Sequence, residues 1–224
     1  MTFWITAGLL TIIAILITYG PLLRQKRLRD ISLFTLLFFI IPASSFGLYS
    51  FLGASTSIRV AQILNNPDAT AIMIEEALLK WHTENPDNTQ AEFLLGSHYL
   101  TTGRPAIASR YFSDLHKNNN KQPQISAQYA QALFLSHNNV ITDKVRYLIR
   151  ESLTLDKNNT IALGLQGIDY FEQNFYQEAI SSWQTALLHE QDMYARKALQ
   201  AGIQQAEQMI KNTHSQIIES NINQ

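Results

Sequence analysis

Two stretches of this chain carry the same ladder of residues, 71 positions apart. Gly96 is followed by Tyr99, Ala108, Phe112 and Leu115 at +3, +12, +16 and +19. Gly167 is followed at the same offsets by Tyr170, Ala179, Trp183 and Ala186. Small residues and rings recurring at helical spacing predict paired helices that press together at glycine and alanine and fill their wider gaps with aromatics. Between the two ladders lies a third. Ala130, 34 residues after Gly96, begins it and Leu133 follows at +3. Val145, Ile149 and Ser152 take the remaining places once three extra residues are allowed at HNNVIT, 137–142. The 71 residues are thus two units of 34 plus three.

A 34-residue helix–turn–helix unit with this Gly, Tyr, Ala and aromatic spacing is the tetratricopeptide pattern. Such units bury their apolar faces only by stacking, and the ends need covering helices. The sequence therefore predicts an all-α chain whose soluble part, 69–224, is an α-solenoid of about three tetratricopeptide repeats. The repeats are expected at about 89–122, 123–159 and 160–193. A half-unit at 69–88 covers one end and a capping helix at 194–219 the other. Asp68 is expected to cap the helix of the half-unit. Residues 54–68 read as a tether, with a turn or two of helix around Ile58 to Leu64. TGR at 102–104 and QNF at 173–175 supply turns inside the first and third units.

The apolar content is divided unevenly. Residues 3–23 hold no charged side chain, and neither do residues 31–52. About 20 apolar residues cross a bilayer, so 1–53 is expected to be a transmembrane helical hairpin, with Pro42 kinking its second helix. Ala43 and Gly47 let a neighbouring helix approach. The first run has no preceding Lys or Arg and no small-residue cleavage site, which argues against a removed signal peptide. Between the runs, 24–30 carry Arg24, Lys26, Arg27 and Arg29 against one acid, Asp30. The positive-inside rule places that loop in the cytoplasm and the domain after residue 53 on the far side of the membrane.

Motifs for catalysis are missing. The chain has no cysteine and no G-x-S-x-G, P-loop or H-E-x-x-H. Its histidines, His82, His98, His116, His137, His189 and His214, form no i, i+4 pair and are expected at the surface. His116 and His137 lie near loops between helices, where a weak haem or metal contact stays open. A net charge of −1 gives no sign of nucleic acid binding. No enzyme activity, resident cofactor or metal is expected. What remains is a surface. The first helix of each unit lines the inner face of such a stack, and the spacing projects onto it Phe93, Ser97 and Leu100, then Ala127, Gln131 and Phe134, then Gly164, Ile168 and Phe171. This lining is mainly apolar, without the basic cluster that clamps a terminal carboxylate. It suits an amphipathic helix or a mixed peptide.

Three stretches together resemble the CcmI (CycH) family of bacterial cytochrome c maturation. They are FW at 3–4 with PLLR at 21–24, LYSFLG at 48–53, and ALGLQGIDYFEQNFYQEAISSWQTAL at 162–187 preceded by LTLDKNN at 153–159. Lys157 stands where the family's Leu-Asp-Pro turn has proline. The chain also departs from the family in its loop: about seven polar residues separate the apolar runs, where members usually have a long cytoplasmic segment. The resemblance implies an inner-membrane protein with two spans and a periplasmic domain. It implies a chaperone that holds apocytochrome c by its C-terminal helix for the haem ligation complex, with the other subunits of that complex as partners. Two other readings stand beside it: a non-enzymatic scaffold for a different envelope complex, and an adaptor facing the cytoplasm with the topology reversed.

Overall fold

The computed structural model describes residues 54–118 and 122–222, with side chains from 56 to 215. The expected membrane hairpin, with its basic loop of Arg24, Lys26, Arg27 and Arg29, lies outside the described residues. No helix among the described residues is long and apolar enough to cross a membrane.

The described residues form helices α1 (Ala54–Leu64), α2 (Ala71–Glu84), α3 (Thr89–Thr101), α4 (Pro105–Asn118), α5 (Pro123–Ser136), α6 (Asp143–Leu155), α7 (Thr160–Glu172), α8 (Tyr176–His189) and α9 (Met193–Ile222). They make an all-helical tetratricopeptide-like solenoid. Its paired helices are α3 with α4, α5 with α6 and α7 with α8, and each second helix also packs on the first helix of the next unit. First helices meet their counterparts too, α3 against α5 and α5 against α7.

The ladder has a steric cause. A Cβ on Gly96 would lie 2.8 Å from Cζ of Phe112, sixteen residues on, and a Cβ on Gly167 would overlap the indole of Trp183 more severely still. Any side chain at either glycine would hold the two helices of its unit apart. Ala108, Ala179 and Ala186 are fully buried at the other close approaches. The interior divides with the stack. One apolar cluster joins α1 to α5 around Leu78, Trp81, Leu95 and Phe112. A second joins α5 to α7 around Phe134, Val145, Leu148 and Leu165. The third joins α7, α8 and α9 around Ile180, Trp183 and Ala206.

The turns inside the units share one solution. The first helix of each ends with a backbone N–H reaching five residues back: Arg104 to Tyr99 O at 2.8 Å, Asn139 to Phe134 O at 2.9 Å and Phe175 to Tyr170 O at 2.9 Å. That closure needs a left-handed residue just past the helix. Gly103 (φ 72°), Asn138 (φ 55°) and Asn174 (φ 66°) supply it. Glycine and asparagine tolerate that region best. In the second unit Asn139 is left-handed as well, at φ 62°, within the three-residue insertion.

In the segment expected as a tether, Ala54–Leu64 form a helix that includes the expected turns around Ile58 to Leu64, and Val60, 2% exposed, shares the first apolar cluster with Leu78 and Trp81 of α2. The expected cap of α2 needs correction. The cap of α2 is Thr70, whose hydroxyl accepts the Met73 N–H at 3.3 Å. Asp68 instead lies in the preceding turn, its N–H donating to Oδ1 of Asn66.

Candidate functional site

An apolar groove of about 660 Å³ opens between α5, α7 and α9. One side chain forms its base. Trp183 of α8 stands where Phe112 and Ile149 stand in the first two units. Its indole fills the space under α7, donates Nε1–H to the Gly164 carbonyl at 3.0 Å, and touches the next first helix at Gly202. A Cβ on Gly202 would lie 3.1 Å from the ring. α9 packs on α8, as the first helix of a unit packs on the second helix before it elsewhere in the stack. The gap between α7 and α9, with the indole at its base, is the groove.

The groove has direction. Phe134, Ile168 and Phe171 line it toward the C-terminal ends of α5 and α7, while Thr160 and Glu190 lie at the end where α7 and α9 begin. Gly164 forms part of the floor. A Cβ there would meet only Leu199 Cδ2, at an ordinary 3.8 Å, so the missing side chain leaves room in the groove rather than avoiding a clash. Glu190 is the only charged residue of the lining. Its Oε1 accepts the N–H groups of Gln191 and Asp192 at 2.8 and 2.9 Å, and Asp192 Oδ1 caps α9 by accepting the Ala195 N–H at 2.8 Å.

Of the nine residues expected on the inner surface, Gln131, Phe134, Gly164, Ile168 and Phe171 line this groove together. The other four do not. Ala127 is fully buried, at 0% exposure. Phe93 and Leu100 pack against the first apolar cluster, with Phe93 edge-on to Phe112 at a ring distance of 5.7 Å. Phe93 also borders a separate hollow of about 240 Å³ with Ile125. The Ser97 hydroxyl is buried without a hydrogen-bond partner. The periodic projection treats all units alike, whereas the inner residues of the first unit pack into the cluster they share with α2 and the groove lies at the third unit. The projection also omitted the α9 wall, with Ala198, Leu199 and Gly202. Its signal was the run of small residues in ARKALQAG, 195–202.

Two polar clusters hold the stack beneath this surface. In the first, Glu75 of α2 receives Arg104 through two bonds, Nη1 to Oε1 at 3.0 Å and Nη2 to Oε2 at 2.7 Å, and the Tyr99 hydroxyl at 3.0 Å. The Arg104 guanidinium holds the Glu75 carboxyl below its usual range against the opposing effect of burial. Burial, aided by Glu75, pushes the Tyr99 phenol up to about 12. Burial likewise holds His98 below its usual value; its Nε2 lies 3.9 Å from Glu75. In the second cluster, Glu151 of α6 meets His116 Nε2 of α4 at 2.5 Å and accepts the hydroxyls of Ser126 of α5 at 2.8 Å and Tyr147 at 3.0 Å. Burial works to raise the Glu151 carboxyl, but these three bonds outweigh it and the net shift is downward.

A serine, a histidine and a glutamate thus meet, though not as a nucleophilic triad. Ser126 is fully buried and donates to the Glu151 carboxylate rather than to the His116 imidazole, so the serine–histidine contact of a triad is not the one formed. The cluster ties three helices together. His98 is accordingly buried and His116 half-buried, where surface histidines were expected from the sequence, and acids 23 and 35 positions away in the chain meet them in the fold. Among the described residues no group of three or more His, Cys, Asp or Glu is placed to hold a metal ion.

Comparison with known proteins agrees with this architecture. A tetratricopeptide repeat protein from Parabacteroides merdae superposes with a TM-score of 0.50 at 16% identity, over 73% of this chain and 66% of that one, a likeness of fold alone. The subunit NrfG of the formate-dependent nitrite reductase complex of Escherichia coli O157:H7 is 26% identical over 122 residues, 54% of this chain and 60% of its own. The cytochrome c-type biogenesis protein CycH of Pseudomonas aeruginosa is 32% identical over 169 residues, which is 75% of this chain but 41% of the relative's length. The family model of the cytochrome c-type biogenesis protein H TPR domain matches residues 77–195. The chain belongs to the CcmI/CycH family of cytochrome c biogenesis proteins.

Proposed function

We propose that this protein is a membrane-anchored, non-catalytic maturation factor for c-type cytochromes that holds an apolar helical segment of apocytochrome c in the groove between α5, α7 and α9. The observation that carries the reading is that groove, open and apolar, in a chain of this family. A shallow apolar channel between parallel helices takes the apolar face of an amphipathic helix, and burying that face supplies the affinity. The anchor rests on the uncharged runs 3–23 and 31–52. The basic loop between them puts the tetratricopeptide domain on the periplasmic side of a bacterial inner membrane. There it would meet the other subunits of the haem ligation complex. The short loop makes this a member without the long cytoplasmic segment.

The test is titration of the full chain in detergent with the C-terminal helical peptide of an apocytochrome c and with a scrambled peptide. Saturable binding of the native peptide alone is expected, with loss of binding in Gly164→Leu, which fills the floor, and in Phe171→Ala. Equal binding of both peptides, or binding unaffected by either substitution, refutes the groove assignment. A second reading, a scaffold for another envelope complex, is favoured by the similarity to NrfG, whose name makes it a subunit of a nitrite reductase complex. Recovery of the full chain with a folded reductase, and not with apocytochrome, would select it.

A further inference from the structure

The inner helices of the stack lack basic charge. The first helices of the three units, α3, α5 and α7, contain no lysine or arginine; their charged residues are Glu92, Asp169 and Glu172. The second helices carry both signs: α4 has Arg110 and Lys117 with Asp114, α6 has Lys144, Arg146 and Arg150 with Asp143 and Glu151, and α8 has Glu178 and no lysine or arginine. Four of the 17 basic and one of the 18 acidic residues precede position 54, so the remainder of the chain has a net charge of −4. At the groove itself Glu190 is the one charged lining residue, and Arg196 of α9 turns its Nη1 to the Leu187 and Glu190 carbonyls at 2.6 and 2.7 Å. An acidic or carboxylate-terminated segment would find no basic residue in the lining. A cationic one would gain attraction at the rim as well as apolar burial along the floor.

We propose that the groove selects a cationic amphipathic helix. Its apolar face lies over Gly164 between Phe134 and Phe171, and a lysine or arginine at one end meets Glu190. This rests on the peptide-binding reading above and adds the charge and direction of the occupant. The lining of α7 from Thr160 to Phe171 spans roughly 17 Å, about three turns of bound helix. The cation belongs at the Thr160 and Glu190 end, and the bulkiest apolar side chains belong at the phenylalanine end.

The experiment uses the full chain in detergent and three labelled 16-residue helical peptides of one Leu/Ala apolar face, whose polar residues are all Lys, all Gln or all Glu. At low salt the Lys peptide is expected to bind roughly ten-fold tighter than the Glu peptide, one attractive contact replacing one repulsive contact, and the gap should shrink as salt is raised. Glu190→Gln keeps an oxygen for the Gln191 and Asp192 N–H groups. It should reduce the ratio of the Lys peptide's affinity to the Glu peptide's. Equal binding of all three peptides, or an unaltered preference in Glu190→Gln, overturns the charge selection while the peptide groove stands. Failure of every peptide to bind, or binding undiminished in Gly164→Leu, overturns the groove and the selection with it.

Discussion

Gly164 and Gly167 lie three residues apart in one helix, and the same substitution at each should move stability in opposite directions. Alanine gains about 1 kcal/mol over glycine in a helix interior. At position 164 nothing opposes the gain, since the new methyl would sit 3.8 Å from Leu199 Cδ2. Gly164→Ala should stabilise the protein by about 0.5–1 kcal/mol. At position 167 the methyl would enter the indole of Trp183, which cannot retreat. Gly202 lies against its other side and its Nε1 is bonded to the Gly164 carbonyl. Overpacking of this kind costs about 1–3 kcal/mol, and losing the indole hydrogen bond adds about 1 kcal/mol. Net of propensity, Gly167→Ala should destabilise by about 1–3 kcal/mol. At about 2–4 °C per kcal/mol for a chain of this size, the two variants should melt roughly 10 °C apart. Urea unfolding followed by circular dichroism at constant slope measures the difference. If Gly167→Ala proves as stable as Gly164→Ala, the tight contact between α7 and α8 does not exist, and the steric account of the ladder is refuted.

Stability should fall on acidification in two steps. His98 is held below its usual value of 6.5, so as the pH drops through that range the unfolded chain takes up the proton first and folding is disfavoured. Glu75 is held below 4.5, so its contribution is complete above that pH and is lost as the pH falls further. Urea midpoints from pH 7 to 3 should show both, and Glu75→Gln should flatten the lower step; an unchanged slope there would exclude Glu75 as its source. Glu151→Ala leaves the buried Ser126 hydroxyl and His116 without their acceptor and should cost about 2–4 kcal/mol in a chemical denaturation. Tyr147→Phe, at an exposed partner of the same carboxylate, should cost under about 1 kcal/mol. Asn174→Ala should be about 1 kcal/mol less stable than Asn174→Gly, because only the backbone at φ 66° separates the two variants; equal thermal midpoints would contradict it.

The solenoid was legible because its physics is local and periodic. Gly96 with Phe112, and Gly167 with Trp183, are contacts within one unit at a fixed offset, so spacing alone exposes them. The turns are legible for the same reason, with Gly103 and Asn174 at equivalent places. The polar clusters were not legible. Glu75 acts on residues 24 and 29 positions away, and Glu151 joins α6 to α4 and α5. No local pattern marks those partners, so His98 and His116 read as ordinary surface histidines.

The groove shows the boundary most directly. The sequence by itself determined which residues lie on the first helices, and five of the nine expected inner-face residues do line the opening. It also determined that one unit carries tryptophan where the others carry phenylalanine and isoleucine. Only the tertiary structure decided that a channel lies open at the third unit, with this indole at its base between α7 and Gly202 of α9, while Phe93 and Leu100 of the first unit pack into the cluster shared with α2. Periodicity assigns a residue to a face. Whether that face stays open depends on the volume of side chains meeting it from other helices, a sum over contacts that no single segment encodes.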